Sequence, residues 1–215
     1  LLRRHGVSPT KHYNNFVKLN AEDLGEDESL ILGRHYMLPD TLETKTVETV
    51  EEGITYSIFG EDFKKVDKAS SRLKNTVYYL ISGHGGPDPG AIEKHNGKLI
   101  AEDEYAYDVT LRLARELISH GAEVHIIVQD GNDGIRDKRI LELDTDETVQ
   151  SQPIPLDQLE RLKQRTKAVN DLYTKNTGKY QRLLVTHVDS RGEGTNIDVF
   201  FYHHEKSTNG KRLAE

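Results

Sequence analysis

The feature that most constrains the fold is a regular alternation of strand and helix patterns from about residue 75 onward. Short apolar runs predict buried strands, and longer segments with an apolar residue every three or four positions predict helices. Strands that alternate with helices favour an α/β fold, with a mixed, largely parallel sheet flanked by helices. The predicted order is strand, helix, strand, polar insert, helix, strand and strand, over Val77–Ser82, Glu102–His120, Glu123–Val128, Gly131–Pro155, Leu156–Asn176, Arg182–Val188 and Ile197–Tyr202.

The residues before this alternation form two further regions. Residues 1–40 hold two helix-like stretches, His12–Leu19 and Ser29–Gly33, and are too few to make a domain unaided. Residues 41–75 include T-V-E-T-V and I-T-Y-S-I-F, whose period of two predicts edge strands within an acidic connector. We therefore expect a small N-terminal segment, a connector, and a main domain over residues 76–215.

Composition excludes several classes of function. The net charge of −7 disfavours an electrostatic hold on nucleic acid or anionic lipid. The absence of cysteine excludes disulfides, thiolate zinc sites and cysteine nucleophiles. No apolar run approaches the roughly 20 residues of a membrane helix, and the first residues lack the apolar core of a signal peptide. We expect no membrane span, and any signal peptide to lie outside this chain.

Two histidines follow predicted strands. His84 lies in S-G-H-G-G-P-D-P-G-A and His187 in L-L-V-T-H-V-D-S. In a parallel sheet, both would emerge at the edge where ligands gather. Glu102 and Glu104 open the helix after the first strand, so one of them could join the histidines. Two imidazoles and a carboxylate are a common ligand set for a hydrolytic zinc ion.

The same residues also fit a site without a metal. A histidine in a glycine-rich turn can be a surface or capping residue, and the helix dipole favours acidic residues in a first turn. Nucleotide hydrolysis and serine esterase chemistry lose support, because the glycine-rich loop lacks the P-loop lysine and no G-x-S-x-G is present.

Three motifs together resemble a known family. I-S-G-H-G-G-P-D-P-G-A-I, A-E-D-E-Y-A-Y-D-V-T-L-R-L-A-R-E-L-I-S-H-G-A-E-V and L-L-V-T-H-V-D-S are similar, in order and spacing, to the zinc-dependent N-acetylmuramoyl-L-alanine amidases of bacterial cell-wall turnover. The resemblance runs from about residue 75 to the end. It implies hydrolysis of the amide between N-acetylmuramic acid and L-alanine in peptidoglycan, with one zinc ion per chain, in the bacterial cell envelope, either periplasmic or secreted.

The resemblance also implies roles for individual residues. The metal ligands fall on His84, Glu102 and His187, with Glu104 as the alternative carboxylate. Two residues of the second predicted helix, Arg165 and Asn170, match positions that support the site without binding the metal.

One expected residue is missing. The family's general base is a late glutamate on the last strand, and no residue before Glu215 matches it. Glu215 falls within the expected helix, so the catalytic base stays unassigned. We expect the catalytic domain to be incomplete at its C-terminus. The open alternatives are a non-catalytic glycan-binding protein on an amidase fold, and a zinc peptidase acting on peptides without muramic acid.

Two further segments carry weaker expectations. H-G-V-S-P-T-K-H-Y-N-N-F-V-K-L-N, followed by I-L-G-R-H-Y-M-L-P, is similar to the latter part of a LysM glycan-binding module. A helical cap on the main domain fits these residues almost as well. The insert Gly131–Pro155 is long for a compact domain, so we predict a lid or a surface that binds an activator protein.

Overall fold

The computed structural model describes residue 2 and residues 9–39, 53–188 and 201–214. These residues contain four α-helices and ten strands, and the α/β class is confirmed. In chain order the elements are α1 Pro9–Leu19, β1 Ile54–Thr55, β2 Lys65–Val66, β3 Thr76–Ser82, β4 Ile92–His95, β5 Lys98–Ala101, α2 Glu102–Ser119, β6 Glu123–Ile126, β7 Val128–Gln129, β8 Thr148–Val149, β9 Gln152–Pro153, α3 Gln158–Lys175, β10 Tyr180–Thr186 and α4 Thr208–Ala214. None of these helices is both long enough and apolar enough to cross a membrane.

The chain divides into two compact units, Leu1–Glu51 and Glu52–Glu215. In the first unit, Phe16 of α1 packs with Leu2, Leu24 and Tyr36. The buried Asn20 amide, just after α1, donates to the Met37 carbonyl and accepts from the Met37 backbone N–H. This pair of hydrogen bonds joins Met37 to the end of α1.

The predicted helix at Ser29–Gly33 is wrong. The nearest helical turn is a 3₁₀ turn at Glu26–Glu28, and Ser29–Gly33 is irregular. Its backbone groups are used elsewhere, because the Ser29 carbonyl accepts from Gly25 N and the Ile31 N–H donates to the Tyr36 hydroxyl. Gly33 has φ +88, which ends any helical path.

The second unit is built on a parallel three-stranded sheet in the order β10–β3–β6. β3 is central, and four of its seven residues, Leu80 among them, are fully or nearly fully enclosed. The register pairs Thr76 with Tyr180 at one end and Ser82 with Thr186 at the other. β3 and β10 therefore end side by side.

Helices cover both faces of this sheet. Alternate β3 residues point to opposite faces, as the period of a strand requires. Leu80 packs with Leu111 and Ala114 of α2, whereas Tyr79 lies in a second cluster with Ala168 and Val169 of α3. The two apolar clusters are the core of the unit.

The helix and strand bounds differ from the predicted ones for local reasons. α3 begins at Gln158 because the Asp157 carboxylate accepts from the Glu160 N–H as an N-cap, which leaves Leu156 outside the helix. The strand predicted at Glu123–Val128 is divided at Ile127, whose N–H donates to the Leu80 carbonyl. Of the strand predicted at Ile197–Tyr202, residues 197–200 lie outside the described ranges, and Phe201 and Tyr202 are not in a strand.

The strand predicted in I-T-Y-S-I-F is present only at Ile54–Thr55, and the insert is more structured than its composition indicates. I-T-Y-S-I-F yields the short strand β1, which pairs with β2, and a 3₁₀ turn that buries Phe59. T-V-E-T-V lies outside the described residues. The insert contains β8 and β9, which pair with β7 as a three-stranded antiparallel sheet.

We predict that Leu111→Ala destabilises the second unit by about 2–5 kcal/mol, because it leaves a cavity in the core. Leu111 is fully buried, whereas Val109 on the same helix is 46% exposed and serves as the matched control. Urea unfolding of Val109→Ala should change the free energy of unfolding by less than about 1 kcal/mol. Equal losses for the two variants would contradict this packing of α2 on β3.

Candidate metal centre

The two strand-end histidines lie together at the carboxyl edge of the sheet. Ser82 and Thr186 are paired in register, and Gly83 N donates to the Thr186 carbonyl at 2.7 Å. His84 and His187 leave the sheet immediately after this pair. Their ring centroids are 5.1 Å apart, with the ring planes inclined at 82°.

Glu102 completes the group from the first turn of α2. Its N–H donates to the Ala91 carbonyl, so the start of α2 is fixed on the loop that follows His84. Glu102 Oε1 lies 2.9 Å from His187 Nδ1, and Oε2 lies 3.4 Å from His84 Nε2. Oε2 also accepts from Ala91 N.

This donor set fits a metal ion. One ligand atom from each of His84, Glu102 and His187 lies within 4.8 Å of the other two. Ligand atoms around a tetrahedral zinc are about 3.3 Å apart when each bond is about 2.0 Å. The Glu102 side chain is 6% exposed, but His187 is 47% exposed, so the centre opens to solvent on the His187 side. A fourth position for water or substrate is thereby available.

The electrostatics of the centre favour an ionised carboxylate. Burial acts to raise the pKa of Glu102, but the hydrogen bond with His187, the hydrogen bond from Ala91 N and the charge of His84 outweigh it. The net effect lowers the pKa of Glu102. A carboxylate that stays charged is the form that binds a metal.

Gly83 and Gly90 have no room for a side chain, because the candidate ligand residues lie close to their backbones. A Cβ at Gly83 would lie 2.4 Å from the His187 ring. A Cβ at Gly90 would lie 2.7 Å from the His84 ring and 2.9 Å from Glu102 Cβ, and Gly90 also has φ +70. Side chains at these positions would displace the ligand groups, which explains why the loop is rich in glycine.

Two arginines of helix α3 fix the position of His84, one through its backbone and one through Asp88. His84 has φ +64, an uncommon conformation for a residue with a side chain. Its carbonyl accepts a hydrogen bond from Arg165 Nη2 at 2.6 Å. Its Nδ1 lies 3.2 Å from Asp88 Oδ2, and Arg161 Nη2 donates to the same oxygen at 2.8 Å. Arg161 and Arg165 are one helical turn apart, so α3 fixes both the backbone and the ring side of His84.

Asn170 and Glu104, two other residues expected to take part in the site, are not among the side chains that converge with the histidines. Asn170 occupies an exposed position on α3. Glu104 is 2% exposed, and its oxygens accept from Arg136 Nη1 at 2.9 Å and from Asp144 N at 2.9 Å. The geometry therefore places Glu102, rather than Glu104, between the histidines.

The insert is anchored beside the metal centre. Glu147 is 5% exposed, and its Oε2 accepts from Gly86 N at 2.7 Å, two residues after His84.

Burial, reinforced by the charges of Glu104 and Asp144, raises the pKa of Glu147 to about 7. Burial and the charge of Glu147 likewise raise the pKa of Asp103 to about 8. Activator binding by the insert stays a prediction.

Sequence reasoning missed Asp88, Arg161 and Glu147. Asp88 lies four residues after His84 in the same loop, and Arg161 lies four residues before Arg165 on a helix, so local spacing could have indicated both. Glu147 is 61 residues from its partner Gly86 and lies in a segment without an apolar period. Nothing local in the sequence signals that contact.

Comparison with known proteins adds the family. The family model for N-acetylmuramoyl-L-alanine amidase matches residues 79–215, which include His84, Glu102 and His187. No curated protein and no solved structure matches the chain.

We predict that Glu147→Gln becomes more stable relative to the wild-type protein as pH rises from about 5 to 8. Because the folded pKa of about 7 lies above the ordinary value of 4.5, the folded wild type must give up this buried proton over that range, and its stability falls. The difference reaches on the order of 3 kcal/mol at pH 8. Urea unfolding without added divalent cations measures it.

The exposed Glu142 in the same insert provides the matched control. Glu142→Gln should leave the pH dependence of stability unchanged. A Glu147→Gln protein whose stability parallels that of the wild type at every pH would contradict the burial of a carboxyl group without an ion-pair partner here.

Proposed function

The chain belongs to the N-acetylmuramoyl-L-alanine amidase family, and from that premise we propose that it is a zinc-dependent enzyme of peptidoglycan turnover or remodelling. The bond it cleaves is the amide between the lactyl group of N-acetylmuramic acid and L-alanine. The observation that carries the proposal is the convergence of His84, Glu102 and His187 at one edge of the sheet. The two histidines follow β3 and β10 and Glu102 opens α2, and each is a zinc-ligand type.

The three residues would hold the ion and leave one face open. A zinc ion held there would supply a Lewis acid for the amide carbonyl and would lower the pKa of a bound water to about 7. Glu102 supplies the negative charge of the ligand set, and its lowered pKa keeps it ionised. The exposed side of His187 is where the amide would approach. The residue that accepts the proton of the water is left unassigned.

Asp88, Arg161 and Arg165 would act as positioning residues for His84. A carboxylate beside the non-ligating nitrogen of a metal-bound histidine orients the ring and raises its basicity. Asp88 stands beside Nδ1, and Arg161 fixes the Asp88 carboxylate. Arg165 holds the left-handed backbone through the His84 carbonyl.

The same proposal implies a substrate and a place of action. Peptidoglycan or its muropeptide fragments would be the substrate, and the bacterial cell envelope, periplasmic or external, would be the place of action. The N-terminal unit would contribute glycan binding if its LysM-like pattern reflects such a module. An exposed metal centre and the acidic chain both suit a polar glycopeptide better than a nucleic acid.

We predict that His187→Ala loses bound zinc and lowers amidase turnover by more than the roughly 100-fold typical of a substitution outside the ligand shell. The reason is the loss of one of three protein ligands. Elemental analysis measures the zinc, and mass spectrometry of digested sacculi measures release of intact stem peptides from N-acetylmuramic acid. The exposed His95 gives the matched control, His95→Ala, which should retain both.

Three results would count against this proposal. A His187→Ala protein with full zinc and full turnover would refute the ligand assignment. A wild-type protein that binds zinc and sacculi but releases no stem peptide would instead favour a non-catalytic glycan-binding protein. Cleavage within peptides that lack muramic acid would favour a zinc peptidase.

We predict that Arg161→Gln and Asp88→Asn each weaken zinc binding by about 10-fold or more without unfolding the protein. Each substitution disrupts the contact between Asp88 and Arg161 that orients the His84 ring. Competition with a chromophoric chelator measures the zinc dissociation constant. Lys163→Gln is the control, because Lys163 is on the same helix and pairs only with the exposed Glu160 in the described contacts. Unchanged zinc affinity in both test variants would show that α3 does not position the ligand.

A further inference from the structure

Three buried carboxylates lie next to the metal centre but share no ligand with it. Asp103, Glu104 and Glu147 are 1%, 2% and 5% exposed, and one oxygen from each lies within 4.8 Å of the other two. Asp103 and Glu104 come from the first turn of α2, whereas Glu147 comes from the insert. Holding all three as ionised carboxylates at this separation is costly unless a cation neutralises them.

Among the described residues, one cation forms an ion pair with this group, and that cation is shared. Arg136 Nη1 donates to Glu104 Oε2 at 2.9 Å and also contacts the Asp133 carboxylate. Arg136 is itself buried, with 9% of its side chain exposed. Among the described residues, no other lysine or arginine forms an ion pair with Asp103, Glu104 or Glu147. A single shared guanidinium cannot balance three carboxylates.

One oxygen of the group has no partner at all. Asp103 Oδ1 accepts from Glu104 N, but Oδ2 is buried without a hydrogen bond in the described structure. The Asp103 side chain faces the other two carboxylates, since one of its oxygens lies within 4.8 Å of an oxygen of Glu104 and of an oxygen of Glu147. Buried polar atoms are almost always satisfied, so an unpartnered oxygen on a side chain that faces an anionic cluster points to a ligand.

The donor chemistry identifies the class of ligand. All three side chains offer oxygen, and none offers nitrogen or sulfur, which suits a hard divalent cation such as Ca²⁺ or Mg²⁺. We propose that Asp103, Glu104 and Glu147 form a second cation site, distinct from the histidine centre, that binds a hard divalent cation. This site goes beyond the proposed function and does not depend on it.

A cation here would join two segments that flank the histidine centre. Asp103 directly follows Glu102 on α2. Glu147 accepts from Gly86 N, two residues after His84. The bound ion would therefore fix the insert against the start of α2 and against the glycine-rich loop, and its role would be structural support of the neighbouring centre.

A second acidic group nearby provides a built-in comparison. Asp130, Asp144 and Asp146 also bring one oxygen each within 4.8 Å of one another. This group is less buried, and Asp130 Oδ1 already accepts from Asn132 N and Asp133 N. We call Asp103, Glu104 and Glu147 the inner group, and Asp130, Asp144 and Asp146 the outer group.

The test is calcium titration of the zinc-loaded full chain at pH 7.5, by calorimetry and by thermal unfolding. At calcium about 100-fold above its dissociation constant, the unfolding temperature of the wild-type protein should rise by about 5 °C or more. Glu147→Gln in the inner group should weaken calcium binding at least about 10-fold. Asp146→Asn in the outer group should leave it unchanged.

Two further variants test whether calcium binds at the inner group. Asp103→Asn should repeat the loss, and both inner substitutions remove a buried charge at nearly constant volume, so they should fold. His187→Ala should keep calcium binding, because it alters only the histidine centre. Absence of calcium binding in the wild type would overturn the proposal and leave shared protons to neutralise the inner group. Loss of binding in the outer-group or His187→Ala variant, with retention in Glu147→Gln, would also overturn it.

Discussion

The parallel pairing of β3 with β10 is the interaction on which the rest of the site depends. It is held in register to the last residue, with Ser82 opposite Thr186, and it continues one step further through the hydrogen bond from Gly83 N. A slip of one residue would turn every side chain of the strand to the other face. His84 and His187 would then no longer meet. The apolar clusters on both faces of β3 fix this register.

From that edge, the site is assembled by backbone contacts around one loop. The loop after His84 receives the start of α2 through Ala91, the insert through Gly86, and α3 through the His84 carbonyl. Three elements from distant parts of the chain thus meet within a few residues. The same arrangement shifts the pKa values of the carboxyl groups in opposite directions. Contacts with the imidazoles lower the pKa of Glu102, whereas burial beside other carboxylates raises that of Glu147.

The sequence carried enough information for the fold class and for the histidines, because strand periodicity and strand ends are local signals. It left the carboxylate open, since Glu102 and Glu104 share the first turn of α2. Only the three-dimensional structure shows that Arg136 and Asp144 engage Glu104. The insert shows the limit of local signals most clearly. Its polar sequence looks like a loop, but Glu147 is buried through a contact across 61 residues.

In the proposed enzyme, two imidazoles and one carboxylate bind a single zinc ion. The zinc-edge X-ray absorption spectrum of the purified protein tests this ligand set. We expect a four-coordinate shell of nitrogen and oxygen at about 2.0–2.1 Å, with the outer-shell scattering of two imidazoles. A zinc shell with one imidazole, with three imidazoles or with oxygen ligands alone would contradict it.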